Sequence, residues 1–100
     1  MERLLFSTNL EVGPDKQARV LFEGPRRKMM ELVLRNGFSL AAHKAAEPIT
    51  IQCLAGSGRL EVGGEFVGLS PGVLVTLEAN EVHALHALPA VAILLTRFTG

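Results

Sequence analysis

Residues 59–69 read Arg-Leu-Glu-Val-Gly-Gly-Glu-Phe-Val-Gly-Leu. Polar and apolar side chains alternate over residues 59–62, which is the pattern of a strand with one buried face. Gly63 and Gly64 can adopt the positive φ angles that a two-residue hairpin turn requires, and residues 65–69 form the returning arm. This stretch therefore predicts an antiparallel β-hairpin.

Outside this hairpin, glycine, proline and asparagine divide the chain into pieces that are mostly 5 to 12 residues long. Pieces of that length suit strands better than helices, and they predict about ten short strands. Residues 28–34 include good helix formers, but they end in Leu-Val-Leu and we favour a strand there. Residues 73–77 and 91–95 are apolar at nearly every position, which indicates strands covered on both faces. In an antiparallel sandwich, that second cover usually comes from another sheet or another subunit.

The amino-acid composition excludes several classes of function. The chain has 100 residues, the size of a single domain (1–100), with a net charge of zero that argues against nucleic acid and anionic membranes as partners. Hydrophobic residues make up 48%, which excludes a disordered chain. One cysteine and no long apolar run predict a cytoplasmic protein without disulfides or membrane spans. A mean hydropathy of +0.30 is high for so small a monomer and predicts a homodimer.

Two spacings between glycine and histidine residues resemble the motifs of a known family. Gly37 is followed by five residues and then His43, and Gly56 lies thirteen positions after that histidine. Gly72 precedes His83 by eleven positions. This pattern resembles the two signature motifs of the cupin superfamily over residues 37–95. The resemblance implies an all-β, cupin-like jelly-roll β-barrel made of two packed antiparallel sheets.

The departures from the family pattern bear on function. In a typical cupin, two histidines and a glutamate of the first motif and one histidine of the second bind one metal ion. Here His43 and His83 occupy two of these positions, while Ala45 stands at the second histidine position and Ile49 at the glutamate position. Three substitutions also fall in the second motif: Glu78 for proline, Asn80 for glycine and Ala87 for asparagine. The resemblance therefore predicts the fold better than it predicts a metal enzyme.

His43 and His83 are the candidate metal ligands that the resemblance implies, for Zn, Ni, Fe or Cu held weakly if at all. Glu47 is a further candidate, because it follows His43 at the H-x3-E spacing of an alternative registry. That registry loses the fit of Gly37 and Gly56, so we prefer the first one. An exposed carboxylate near Lys44 is an equally good interpretation of Glu47.

The barrel interior is predicted to be a small-molecule pocket. Four residues besides the histidines are expected to line it: Ile49, Ile51, Cys53 and Leu60. Cys53 shares its strand parity with the isoleucines and should face inward, as a small hydrophobe or a soft ligand. His86 lies three positions after His83, so it should face the opposite side of the strand, at the rim or a subunit contact.

Three functions follow as hypotheses. The first is a barrel that binds a small molecule, or a weakly held metal, in its pocket. The second is a metal-dependent enzyme of the oxygenase or isomerase type that uses His43 and His83. The third is a structural dimerisation module, for which the barrel would be filled and would lack a cavity large enough for a ligand.

Overall fold

The structure, a computed structural model, describes residues 1–6 and 8–100, which form strands and no helix. None of the described segments is therefore a helix long and apolar enough to cross a membrane. The seven strands are β1 Lys16–Gly24, β2 Arg27–Leu34, β3 Ser39–His43, β4 Ile49–Val62, β5 Glu65–Leu69, β6 Leu74–Leu77 and β7 His83–Arg97. All the pairings are antiparallel.

The two longest strands, β4 and β7, pair with each other from one end to the other. The first half of β4 also pairs with β6 and its second half with β5. The first half of β7 pairs with β3 and its second half with β2, which continues to β1. Each long strand thus belongs to two layers of sheet, and the layers close over a common core as a β-barrel.

The predicted hairpin is confirmed, with Val62 paired with Glu65 across Gly63 and Gly64. The prediction of about ten short strands is wrong, because two of the breakers lie inside long strands. Gly56 and Gly58 fall at an irregularity of β4 where the register with β7 shifts. Pro89 lies opposite, inside β7, so both breaks act as β-bulges that bend a strand instead of ending it.

The core contains the inward-facing side chains of both layers. Alternate residues of β4 (Ile49, Ile51 and Cys53) are buried, as expected for a strand with one face inward. They pack in one cluster with Leu32, Leu34, Leu60, Leu69, Leu77, Leu85, Ala87, Val91 and Ile93.

The outward face of β2 is also partly buried, and the N-terminal segment contributes to its cover. Thr8 Oγ1 donates to Glu31 at 2.9 Å, and Arg35 Nε donates to the carbonyl of Asn9 at 2.8 Å. The N-terminal segment therefore lies across the barrel, and its described residues form no strand. The expected two-sided cover holds for residues 91–93 but not for 73–77, where Leu74 is 61% exposed.

The glycines of the motif pattern have backbone angles that explain their residue type. Gly37, Gly56 and Gly72 all have positive φ, which side chains with a Cβ rarely adopt. Asn80, which stands where the family has glycine, has φ of 66°. Asparagine is among the few other residues that tolerate this region, so the substitution keeps the turn.

We expect Gly56→Ala to lower the free energy of unfolding by about 1–3 kcal/mol, because φ is +76° and a Cβ would collide with the carbonyl oxygen of Ala90. Gly68→Ala is the matched control, since its Cβ would meet no atom within 4 Å. Urea unfolding of both variants tests this. Equal stability of the two would contradict the bulge as a backbone constraint.

Candidate functional site

The structure brings His43 and His83 together at one end of the barrel. They are directly paired residues of β3 and β7, and their ring centroids lie 4.4 Å apart. His83 is only 4% exposed, whereas His43 is exposed. One imidazole is thus held in the wall of the barrel and the other lies at its mouth.

The backbone determines which nitrogen of each ring carries a proton. His43 Nδ1 lies 2.9 Å from the carbonyl oxygen of Ala41, and His83 Nδ1 lies 3.0 Å from that of Glu81. Because a carbonyl only accepts, the Nδ1–H group is the donor in each neutral ring. In the neutral form of either ring, Nε2 is then the acceptor, and neither Nε2 has a hydrogen-bond partner among the described residues.

Burial lowers the pKa of His83 below its ordinary value of 6.5, with a smaller contribution in the same direction from nearby His43. The hydrogen bond to the Glu81 carbonyl and the charge of Glu81 oppose this shift. His83 is therefore neutral at physiological pH and acts as an acceptor or ligand, not as a cation.

A cavity of about 210 Å³ opens beside the two rings. Ala45 and Ile49 line it together with both histidines. All four positions that hold metal ligands in a typical cupin thus lie around one cavity, which supports the preferred registry over the one that uses Glu47.

Leu95 and two cationic residues also line this cavity, and sequence reasoning missed both cationic residues as site residues. Lys44 follows His43 directly, and Arg97 comes from the far end of β7, where it pairs with Ile49. Glu47 does not line the cavity. Its Oε2 accepts a hydrogen bond from Arg97 Nη2 at 3.0 Å, in a partly exposed ion pair. The pairing of Ile49 with Arg97 depends on the bulges, which the sequence pattern does not reveal.

A larger cavity, of about 470 Å³, lies on the other side of His83. Among the described residues, its lining includes Glu61, Glu81 and the hairpin turn Gly63 and Gly64, and no lysine or arginine. His83 therefore separates a cavity with acidic residues from one with basic residues.

Three of the predicted pocket residues lie deeper than expected. Ile51, Cys53 and Leu60 are 2%, 1% and 0% exposed and belong to the packed core, and they line neither cavity. Their side chains fill the middle of the barrel, so only the mouth near the histidines stays open. Burial also raises the pKa of the Cys53 thiol, which makes the thiolate unfavourable there.

His86 faces the outer side of β7, as the strand parity predicts. Its Nδ1 shares a hydrogen bond of 2.8 Å with Ser39 Oγ, and its Nε2 lies 3.6 Å from Glu61 Oε2. It takes no part in the His43–His83 pair, and its one side-chain hydrogen bond among the described residues links β7 to Ser39 of β3.

The donor set fits a metal ion only in part. Two imidazole Nε2 atoms are suitable ligands for Zn, Ni, Fe or Cu. No group of three or more His, Cys, Asp or Glu side chains that could hold a metal occurs among residues 1–6 and 8–100. Lys44 and Arg97 add positive charge beside the two rings. These residues would hold a divalent ion weakly, with water as the remaining ligands.

No family model matches the sequence, and no curated protein matches it significantly. Solved structures match its shape. An RmlC-like cupin from Shewanella frigidimarina is similar, with a TM-score of 0.83 and 13% identity over 100% of this chain and 93% of that one. KdgF from a Halomonas species has a TM-score of 0.79 and 19% identity, and the match covers 100% and 96% of the two chains.

Salicylate 1,2-dioxygenase from Pseudoaminobacter salicylatoxidans, solved as adducts with gentisate, has a TM-score of 0.80 and 18% identity. The match covers 90% of this chain but only 26% of the dioxygenase. At such low identities, the three similarities establish the fold alone. The chain has the cupin fold, an all-β barrel, as the two motif spacings predicted.

The lowered pKa of His83 predicts a specific pH dependence of stability. Unfolded His83 takes up a proton near pH 6.5, while folded His83 stays neutral to lower pH. This contribution is fully present above about pH 6.5, and it is lost as the pH falls toward the folded-state pKa, by at most about 1.4 kcal/mol per pH unit. The free energy of unfolding, measured with urea at pH 7.5 and 5.5, should change less between the two pH values in His83→Gln than in the native protein.

His86→Gln is the matched control, because it also removes a histidine from β7 but leaves the buried ring in place. The free energy of unfolding differs between the two pH values in the native protein. If this difference is the same in His83→Gln, the assignment of the pH dependence to His83 is wrong.

Proposed function

We propose that this protein binds a small molecule in the cavity formed by His43, His83, Lys44 and Arg97. The observation that carries the proposal is the pair of imidazoles at a cavity of about 210 Å³. Their ring centroids lie 4.4 Å apart, and neither Nε2 atom has a hydrogen-bond partner in the part of the chain that the structure describes. Polar acceptors beside the apolar surface of Ile49 and Leu95 are typical of ligand sites, in which a few polar groups orient a mainly apolar contact.

The cavity volume limits the ligand. Drug-sized ligands occupy pockets of roughly 300–1,000 Å³, whereas benzene fits a cavity of about 150 Å³. A molecule with a single ring, or an aliphatic molecule of similar size, therefore matches this site. The presence of a cavity also favours binding over the filled barrel that a purely structural dimerisation module predicts.

A weakly bound divalent transition ion at His43 and His83 is the second candidate. It is favoured by the two Nδ1–H donors to backbone carbonyls, an arrangement that is common in metal-ligating histidines because it leaves Nε2 free. An oxygenase or isomerase activity at this site would need such an ion.

The homodimer and the cytoplasmic location also belong to this proposal. Several large apolar side chains are exposed, including Val20 at 49% and Leu74 at 61%, and contact with a second copy would cover them. Sedimentation velocity on the ligand-binding samples measures the oligomeric state directly.

We expect small single-ring fragments to shift the methyl NMR signals of Ile49 and Leu95 in the native protein. His83→Gln and His43→Gln should weaken the best fragment by about tenfold, because each removes one imidazole acceptor. His86→Gln is the control, since His86 lies outside the cavity. Absence of any shift at millimolar concentrations across a varied fragment panel would contradict the binding function.

The four ligand positions of the motif make a gain of metal binding testable. We expect Ala45→His combined with Ile49→Glu to bind Zn²⁺ at least about tenfold more tightly than the native sequence, because it adds an imidazole and a carboxylate to the same cavity. Titration calorimetry measures the affinity, and circular dichroism verifies the fold.

The control moves both substitutions by one residue, as Ala46→His and Thr50→Glu, because neither Ala46 nor Thr50 lines the cavity. A folded Ala45→His/Ile49→Glu protein that binds Zn²⁺ no better than this control would show that the four positions do not share one ion.

A further inference from the structure

The charges around the cavity at His43 and His83 are unbalanced. Lys44 and Arg97 line it, and no aspartate or glutamate does. The neighbouring cavity, across His83, has the opposite character, with Glu61 and Glu81 and no lysine or arginine. The chain as a whole has ten basic and ten acidic residues, so the imbalance is local.

The ion pair with Glu47 uses only part of the hydrogen-bonding capacity of the Arg97 guanidinium. Glu47 accepts from Nη2 only, and a guanidinium has five N–H donors. Arg97 Nε is buried without a hydrogen-bond partner, and no bond of Nη1 to a described residue occurs. The Glu47 carboxylate thus positions Arg97 at the cavity without saturating it. Lys44 has no ion pair among the described residues.

The two histidines impose a second requirement on the ligand, which must supply a hydrogen-bond donor. Each Nε2 is an acceptor in the neutral ring, and an acceptor needs a donor from the ligand. A carboxylate alone would offer only lone pairs to these nitrogens. A hydroxyl group on the same ligand would donate to an imidazole while the carboxylate binds the cations.

The remaining lining residues determine the rest of the ligand. Ala45, Ile49 and Leu95 present hydrocarbon surface, which favours an organic body over an inorganic anion. A volume of about 210 Å³ leaves room for one ring with its substituents.

We infer that the ligand of this cavity is a small hydroxylated organic carboxylate, with its carboxylate bound by Lys44 and Arg97 and its hydroxyl donating to His43 or His83. This inference rests on the proposed binding function and specifies its ligand class. Glu47 is a positioning residue that competes with the ligand for Arg97.

Three probes of similar size separate the charge requirement from the hydroxyl requirement: 3-hydroxybenzoate, 3-hydroxybenzamide and benzoate. The amide lacks the charge and benzoate lacks the hydroxyl donor. We expect 3-hydroxybenzoate to bind most tightly in titration calorimetry, and each of the other two to bind at least about fivefold more weakly. The methyl signals of Ile49 and Leu95 verify that the probe occupies this cavity.

Variants test the residues. Lys44→Met and Arg97→Gln should each weaken the binding of 3-hydroxybenzoate by about tenfold and leave the affinity for the neutral amide nearly unchanged. Lys16→Met, which removes a lysine from exposed β1, is the matched control for Lys44→Met. Glu47→Gln should have the opposite effect and tighten the binding of 3-hydroxybenzoate a few-fold, because it frees Arg97. A structural role of the ion pair alone would not produce this opposite effect.

The outcomes separate the inference from the binding function. Equal binding of all three probes at the methyl-shifted site would overturn the inference and leave the binding function intact. Binding that is insensitive to both Lys44→Met and Arg97→Gln would also overturn it. Failure of all three probes to bind would reject this ligand class, while the wider fragment panel decides the binding function.

Discussion

The continuous pairing of β4 with β7 is the constraint on which the rest of the barrel depends. These two strands are 14 and 15 residues long, and every other strand except β1 pairs with one of them. Two paired antiparallel strands of this length can belong to two packed layers only if both strands bend at paired positions. The shift of register between Gly56 and Gly58, opposite Val91 and Ala87, supplies that bend. A second register shift, between Cys53 and Ala55, lies next to it, so the irregular part of the pairing is confined to the middle of the two strands.

The same pairing creates the site. β7 begins at His83 and ends at Arg97, and the bend brings both ends to one cavity. Ile49 begins β4 opposite Arg97, so the first residue of one long strand meets the last residue of the other. The short strand β3 then adds His43 beside His83. A polar cluster thus forms where strand ends meet, while the middle of the barrel stays packed.

Much of this could be predicted from sequence because local patterns reflect local physics. The Gly63–Gly64 hairpin follows from alternation and turn chemistry, and the spacings from Gly37 to His43 and from Gly72 to His83 led to the cupin fold. The strand count could not be predicted, since a glycine at a bulge looks the same in sequence as a glycine at a turn. The role of Arg97 was equally hidden, because it depends on a register between residues about fifty positions apart. Ile51, Cys53 and Leu60 were correctly placed inside the barrel, but alternation alone does not distinguish a packed interior from an open mouth.

The N-terminal segment has a consequence for how this protein can be handled. Glu31 and Arg35 are 3% and 2% exposed on the outside of β2, and their partners include Thr8, Asn9 and the carbonyl of Pro14. Gln17 and Arg19 of β1 supply one further partner each, but a buried charge that loses some of its hydrogen-bond partners is unfavourable. A truncation that begins at the first strand would therefore remove no strand and still leave two ionic groups on the barrel without their partners in that segment. Affinity tags and fusion partners belong at the other terminus, where Gly100 is exposed.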